Sequence, residues 1–113
     1  QQVQGQDDGA AIMGLGHSLM EGLILDEEGR TRNLGAIDYR IPTSKDLPTE
    51  LISASIENND GPGPYGVKGV REGSLLCTAP AVGAAVRDAT GLVIRDLPLT
   101  PQRVWDAMRE QEA

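Results

Sequence analysis

The residues best suited to chemistry lie in one glycine-rich stretch, residues 61–73, near whose end stands the carboxylate of Glu72. Its five glycines let a backbone approach a ligand closely. Two prolines stiffen the part before Tyr65, because each fixes one backbone angle. A loop of this composition presents a carboxylate to its surroundings rather than burying it, and several kinds of site are compatible with that arrangement.

Residues 61–66 also match the glycine spacing of a dinucleotide-binding fingerprint. That fingerprint needs backbone N–H groups at the start of a helix, but Pro62 and Pro64 have none and no helical pattern begins at Tyr65. A phosphate-binding loop of the Gly-Lys-Ser/Thr kind is excluded as well, because Gly69 follows Lys68 where a hydroxyl is required. The alternative without a function is that the Glu72 carboxylate is an ordinary solvated charge on the surface.

Composition narrows the classes of function that the chain can have. The 113 residues carry a formal net charge of -7 and no cluster of basic side chains, which argues against a nucleic-acid partner. No apolar run approaches the roughly 20 residues of a membrane span, and the first residues lack the features of a secretion signal. We therefore expect a cytoplasmic protein.

The chain contains one cysteine, Cys77, and one histidine, His17. A single cysteine excludes an internal disulfide, and the two residues are too few for a Cys/His zinc cluster. A Ser-His or Cys-His catalytic pair would require His17 to fold against a distant serine or cysteine. We expect Cys77 to be a small apolar residue and His17 to lie on a helix surface or in packing.

The first of three predicted helices follows Asp7 or Asp8 as a cap and runs through Leu19, with apolar residues at spacings of three and four. Three glycines lie within it, and each costs about 1 kcal/mol relative to alanine in a helix interior. A favourable contact should offset this cost. Either a ligand or the backbone of another, tightly packed helix is expected to lie close to these glycines.

Two further helices are predicted in the second half of the chain. One begins at Thr78 or Ala79, with Pro80 in its first turn, and ends at Gly91. The other has Pro101 in its first position, capped by the threonine before it.

Several short strands complete the predicted fold, an α+β (α/β layered) arrangement in a single domain over residues 1–113. Apolar or alternating patterns predict the strands at residues 23–25, 33–41, 50–57 and 93–94. A turn over residues 26–30 and a polar connector over residues 42–48 interrupt this pattern. Residues 50–57 alternate most clearly, as in a half-buried strand.

Four segments, in order along the chain, resemble the molybdenum hydroxylases, the xanthine dehydrogenase and aldehyde oxidase family. Residues 66–72, Gly-Val-Lys-Gly-Val-Arg-Glu, are similar to the family's Gly-Ala-Lys-Gly-Val-Gly-Glu motif. Residues 6–16 are similar to its Gln-x-x-Gly-x-x-x-x-Gly-Leu-Gly stretch near the pterin, and residues 38–43 and 88–101 are similar to two further segments. The resemblance extends over essentially the whole chain, but only over the C-terminal piece of the family's much longer molybdenum-binding subunit.

The resemblance implies roles for five residues. Glu72 would be the general base in the hydroxylation of an aldehyde or N-heterocycle carbon with oxygen derived from water. The residues Gln6, Lys68, Gly69 and Val70 would bind a molybdenum pyranopterin (molybdopterin or its cytosine dinucleotide), shared with other chains. No residue of this chain is assigned as a ligand of the metal itself.

Partners are implied by the same resemblance. They are the remaining molybdenum-binding polypeptide and subunits that carry iron-sulfur centres and flavin. We expect the chain to be inactive alone, as a truncated gene product or a processed subunit would be. A different class of function stays open, in which the chain is an isolated, non-catalytic domain that folds and forms a homo-oligomer without cofactor.

Overall fold

Three α-helices form the frame of the computed structural model, which describes residues 1–70 and 72–112. Helix α1 spans Gln2–Leu19, α2 spans Glu72–Thr90, α3 spans Pro101–Glu112, and one turn of 3₁₀ helix spans Pro64–Gly66. Across the described residues, no helix combines the length and the hydropathy that a bilayer span requires.

Helices α1 and α2 pack against each other, and a glycine permits their close approach. A β-carbon at Gly14 would lie only 2.5 Å from the side chain of Thr78. Nearby on α1, Ala10 is fully buried, and the Ser18 hydroxyl donates to the Gly14 carbonyl oxygen over 2.5 Å. Tight helix packing therefore explains this glycine, which was one of the two explanations that the sequence left open.

The end of α2 and the start of α3 lie where the sequence predicts them. Gly91 follows α2 with a positive φ of 75°, and its N–H donates to the Arg87 carbonyl oxygen over 2.8 Å. At the start of α3, Pro101 takes the first position and the Thr100 hydroxyl accepts a hydrogen bond from the Arg103 N–H over 3.3 Å. Both predictions are confirmed.

The predicted starts of α1 and α2 are wrong, because both helices begin earlier. Helix α1 begins at Gln2, ahead of the acidic pair that was expected to cap it, and α2 begins at Glu72, which leaves Pro80 inside the helix. Proline removes one helical hydrogen bond, which is why the sequence suggested a helix start there. Packing against α1 supports the earlier turns, where the Ser74 hydroxyl donates to Asp7 Oδ1 over 3.3 Å.

The predicted α+β layered fold is wrong, since the described residues contain helices but no strand and no sheet. Leu25 and Thr31 form a single antiparallel bridge, which closes the predicted turn at residues 26–30. Residues 35–39 form a turn instead of a strand, and residues 50–57 and 93–94 have no hydrogen-bonded neighbour in the described chain. A strand persists only where its backbone groups pair with another strand, and the described residues supply none.

The frame buries little apolar surface. Ala10, Leu92 and Leu99 are the buried hydrophobic residues in the part of the chain that the structure describes. The radius of gyration is 17.5 Å, whereas a compact domain of this length has about 13 Å. The chain is therefore an open frame of helices and connectors.

One groove of about 880 Å³ lies between the end of α1, the connector around Pro42 and α3. Its lining is mostly apolar, and Trp105 of α3 is half exposed there, with the Arg109 guanidinium 4.9 Å from the centre of its ring. Asp46 lies at the groove within a polar turn, where it accepts hydrogen bonds from the Thr43 N–H and hydroxyl over 2.8 and 2.7 Å.

Candidate functional site

The glycine-rich loop closes on itself. Gly66 has a φ of 71°, and a β-carbon there would lie 2.9 Å from the backbone of Asn59. A β-carbon at Gly61 would clash with the carbonyl oxygens of Gly66 and Val67, and the Gly63 N–H donates to the Val67 carbonyl oxygen over 3.3 Å. The loop can therefore close because these three glycines have no β-carbon, a role that the sequence did not indicate.

Lys68 joins the two ends of this closed loop. Its ammonium group donates to Asp60 Oδ1 over 2.6 Å and also to Asn58 Oδ1. The Lys68 side chain remains 45% exposed, so the ion pair contributes little to global stability. Its effect is local, because it fixes the part of the loop that leads to Glu72.

Glu72 is the first residue of α2, and its side chain is exposed. A carboxylate in the first turn of a helix interacts favourably with the helix dipole. Among the described residues, nothing would lie within 4 Å of a β-carbon at Gly69 or Gly73, so the backbone at both glycines is open to approach. Val70 is also exposed, while Arg71 lies outside the described residues.

The contact between α1 and α2 brings Gln6 and Glu72 to the same end of the helix pair. The hydrogen bond from the Ser74 hydroxyl to Asp7 Oδ1 ties the two helices together there. Gln6, which is exposed, directly precedes Asp7, and Glu72 lies two residues before Ser74. Two predicted site residues from distant parts of the sequence therefore share one region of the surface.

Asp8 is a further candidate, which the sequence indicated only as a possible helix cap. Its Oδ1 atom is buried and has no hydrogen-bond partner among the described residues. Buried carboxylate oxygens almost always accept a hydrogen bond, so this atom requires a donor from outside the described chain. Nothing in the sequence distinguished Asp8 from Asp7, since the difference arises from packing.

Known proteins resemble this helical frame and its sequence. A family model described as a molybdopterin cofactor-binding domain matches residues 1–48. The putative xanthine dehydrogenase molybdenum-binding subunit XdhA of Escherichia coli (strain K12) is 41% identical over 105 residues, which cover 92% of this chain and 14% of the relative. The nicotine 6-hydroxylase large subunit of Paenarthrobacter nicotinovorans is 35% identical over 110 residues, which cover 95% of this chain and 13% of the relative.

Among solved structures, quinoline 2-oxidoreductase from Pseudomonas putida 86 superimposes with a TM-score of 0.81 at 32% identity, over 96% of this chain and 14% of that chain. The chain belongs to the xanthine dehydrogenase and aldehyde oxidase family of molybdenum hydroxylases. The resemblance drawn from four sequence segments is thus confirmed. This molybdenum hydroxylase chain spans about one seventh of the length of the XdhA subunit and of the solved oxidoreductase.

The described residues at this end of the helix pair fit a molybdopterin group in three respects. Asp8 Oδ1 lacks a donor, and pterin rings carry N–H donors. The Gln6 amide can both donate and accept. The backbone at Gly69 and Gly73 is open on the side where a β-carbon would stand, so a ligand can approach it there.

Proposed function

We propose that this chain is a component of a molybdenum hydroxylase in which Glu72 is the general base. The reaction class is hydroxylation of an aldehyde or N-heterocycle carbon with oxygen derived from water. The observation that carries the proposal is the exposed carboxylate of Glu72 at the start of α2, beside the open backbone of Gly69 and Gly73 and at the same end of the helix pair as Gln6.

Glu72 has the properties that a base requires. Within the described residues no ion pair engages its carboxylate, so both oxygens can accept a proton. It takes up the proton that the water-derived oxygen loses as the new C–O bond forms. The molybdenum cofactor, when bound, supplies the two-electron oxidation of the substrate carbon. The chain's own part is to hold a carboxylate at the reacting oxygen.

The other site residues hold and orient the cofactor. Gln6 and Asp8 bind its polar edge through the side-chain amide and through the carboxylate oxygen that lacks a donor. Gly69 and Val70 line its edge with exposed backbone. Lys68, held by Asp60 and Asn58, fixes the loop that carries them.

Other polypeptide segments complete this site. The chain spans 14% of the length of the XdhA relative, so most of the cofactor cradle and the groups that select the substrate come from elsewhere. Iron-sulfur and flavin components on partner subunits accept the electrons. We infer that the chain alone has no turnover, because a positioned base without the rest of the cradle cannot hold the cofactor at its carboxylate.

A cofactor-free homo-oligomer is the competing function, and the exposed apolar side chains of the frame favour it. Purification from the native source separates the two functions. Molybdenum and pterin recovered together with further polypeptides support the hydroxylase. A homo-oligomer that contains neither contradicts it.

The substitution Glu72→Gln tests the role of the base in the assembled enzyme. Because glutamine keeps the size of the side chain but cannot take up the proton, we expect kcat to fall by about 10²- to 10⁴-fold with unchanged molybdenum content. Glu27→Gln, at an exposed carboxylate in the turn after α1, is the matched control and leaves kcat unchanged. If the Glu72→Gln enzyme turns over at a rate close to that of the control, Glu72 is not the general base.

A further inference from the structure

Residues 50–57 form a segment whose backbone has no partner among the described residues. In the described structure no hydrogen bond, from backbone or side chain, joins these residues to any other. Ile52 and Ile56 are 81% and 94% exposed. Both the backbone and the side chains therefore lack the surroundings that a folded protein provides.

The sequence of this segment has the period of a strand. Ile52, Ala54 and Ile56 occupy one face of an extended chain, while Ser53 and Ser55 occupy the other. Alternation of this kind suits a strand with one buried face. Because a lone strand has no stable ladder, the segment needs the edge of an existing sheet, to which a chain can add through main-chain hydrogen bonds.

A second copy of this chain is a poor source of that edge. In an antiparallel pairing of two copies centred on the segment, Glu50 of one copy would stand opposite Glu57 of the other. A parallel pairing in register would place each glutamate opposite itself. Like charges directly opposite one another destabilise a strand pair, so these two pairings of the segment with itself are disfavoured.

A larger molybdenum-binding polypeptide is a better source. The helical frame superimposes with a TM-score of 0.81 on 14% of a much longer oxidoreductase chain, so its shape is that of a section embedded in a larger molecule. The accessible surface of 9097 Å² is about 3,000 Å² more than the roughly 6,000 Å² of a compact monomer of this mass. An excess of this size is expected of a surface that other segments cover.

We propose that residues 50–57 form a β-strand by adding to the edge of a sheet in the remaining part of the molybdenum-binding polypeptide, with Ile52 and Ile56 in its apolar layer. The inference rests on the proposed function, because that function supplies the partner. It assigns a structural task to a segment that carries no predicted site residue.

Hydrogen–deuterium exchange of the assembled enzyme, purified from the native source with its molybdenum content determined, is the direct test. The exchange experiment can be applied whether the remaining segments belong to the same polypeptide or to a separate one. We expect the amides of residues 51–57 to exchange at least about 100-fold more slowly than those of an unstructured peptide of the same sequence. Exchange at the unstructured rate in an enzyme that contains molybdenum overturns the inference and leaves the proposed function standing.

Two double variants of the same enzyme test the face of the strand. Ile52→Lys with Ile56→Lys places charges in the apolar layer, and we expect the exchange protection of the segment to fall at least tenfold. Ser53→Lys with Ser55→Lys adds the same charges to the opposite face and leaves protection within about twofold. Protection of the α3 amides reports whether each variant is folded. Equal loss in both pairs overturns the assignment of the face.

The remaining outcomes are also decisive. Protection of residues 51–57 in a homo-oligomer of this chain without other polypeptides makes the second copy the partner and overturns the inference. An assembly from the native source that holds no molybdenum overturns both the inference and the function on which it rests.

Discussion

Asp46 has an electrostatic environment that makes its titration informative. The Thr43 hydroxyl and then the Thr43 N–H donate to its carboxylate and lower the pKa of Asp46 below the ordinary value of 3.8, while desolvation of the carboxylate opposes them. Because the folded state binds this proton less tightly than the unfolded chain, the contribution of Asp46 to stability is fully present above about pH 4. It is lost as the pH falls through the lowered folded pKa.

An NMR titration of the Asp46 carboxyl carbon checks this prediction. We expect a midpoint below 3.8, and we expect Thr43→Val, which removes the hydroxyl, to move the midpoint back up toward 3.8. A midpoint at or above the ordinary value in the unsubstituted chain contradicts the prediction.

Individual site residues could be predicted from the sequence only where a motif includes them. Gln6 and Glu72 lie in segments that resemble family motifs, and their place at one end of the helix pair is compatible with a common site. Asp8 could not be recognised, because its unpartnered oxygen results from packing. Asp60 was missed as well, because it pairs with Lys68 from outside the motif.

Among the helices, the contact of α1 with α2 depends on two glycines in different ways. Gly14→Ala introduces a β-carbon 2.5 Å from Thr78, and this overpacking costs about 1–3 kcal/mol. A β-carbon at Gly9 would meet no atom within 4 Å, so Gly9→Ala gains about 1 kcal/mol of helix propensity. We expect urea denaturation of the chain, followed by circular dichroism, to give a lower free energy of unfolding for Gly14→Ala than for Gly9→Ala. The reverse order contradicts the packing.

Helices were predictable from this sequence and strands were not, for a physical reason. A helix satisfies its backbone within its own segment, so the cap at Thr100 and the glycine after α2 were sufficient signals. A strand needs a neighbour, and the alternation over residues 50–57 carries no information on whether that neighbour lies in the same chain. The α+β prediction was wrong because it required each strand to find its neighbouring strand within this chain.

The whole molecule is more exposed than its length requires. It buries roughly half of the surface of an unfolded chain of this mass, where roughly 65% is expected. Its accessible surface exceeds that of a compact monomer by an area within the range buried in large obligate interfaces, about 2,000–5,000 Å². The frame alone therefore gains less free energy of folding from buried apolar surface than a compact monomer of its length does.

We accordingly predict that assembly stabilises the helices strongly. The temperature at which α2 loses half of its amide exchange protection should be at least about 10 °C higher in the assembled enzyme than in the chain alone, because covered apolar surface adds to the free energy of unfolding. Hydrogen exchange at a series of temperatures measures both values. Midpoints that agree within error would show that the frame is stable without partners.

The closed glycine-rich loop also determines where the entropy of association is lost. Residues 58–68 are already held by the Lys68 ion pair and by the contacts of Gly61 and Gly66, so little conformational freedom remains there to lose when the enzyme forms. Residues 50–57, directly before this loop, make no hydrogen bond to any described residue, and they would be ordered on assembly if they form the strand that we propose. The two adjoining segments therefore differ in the conformational entropy that each has left to lose, which is small in the closed loop and large in residues 50–57.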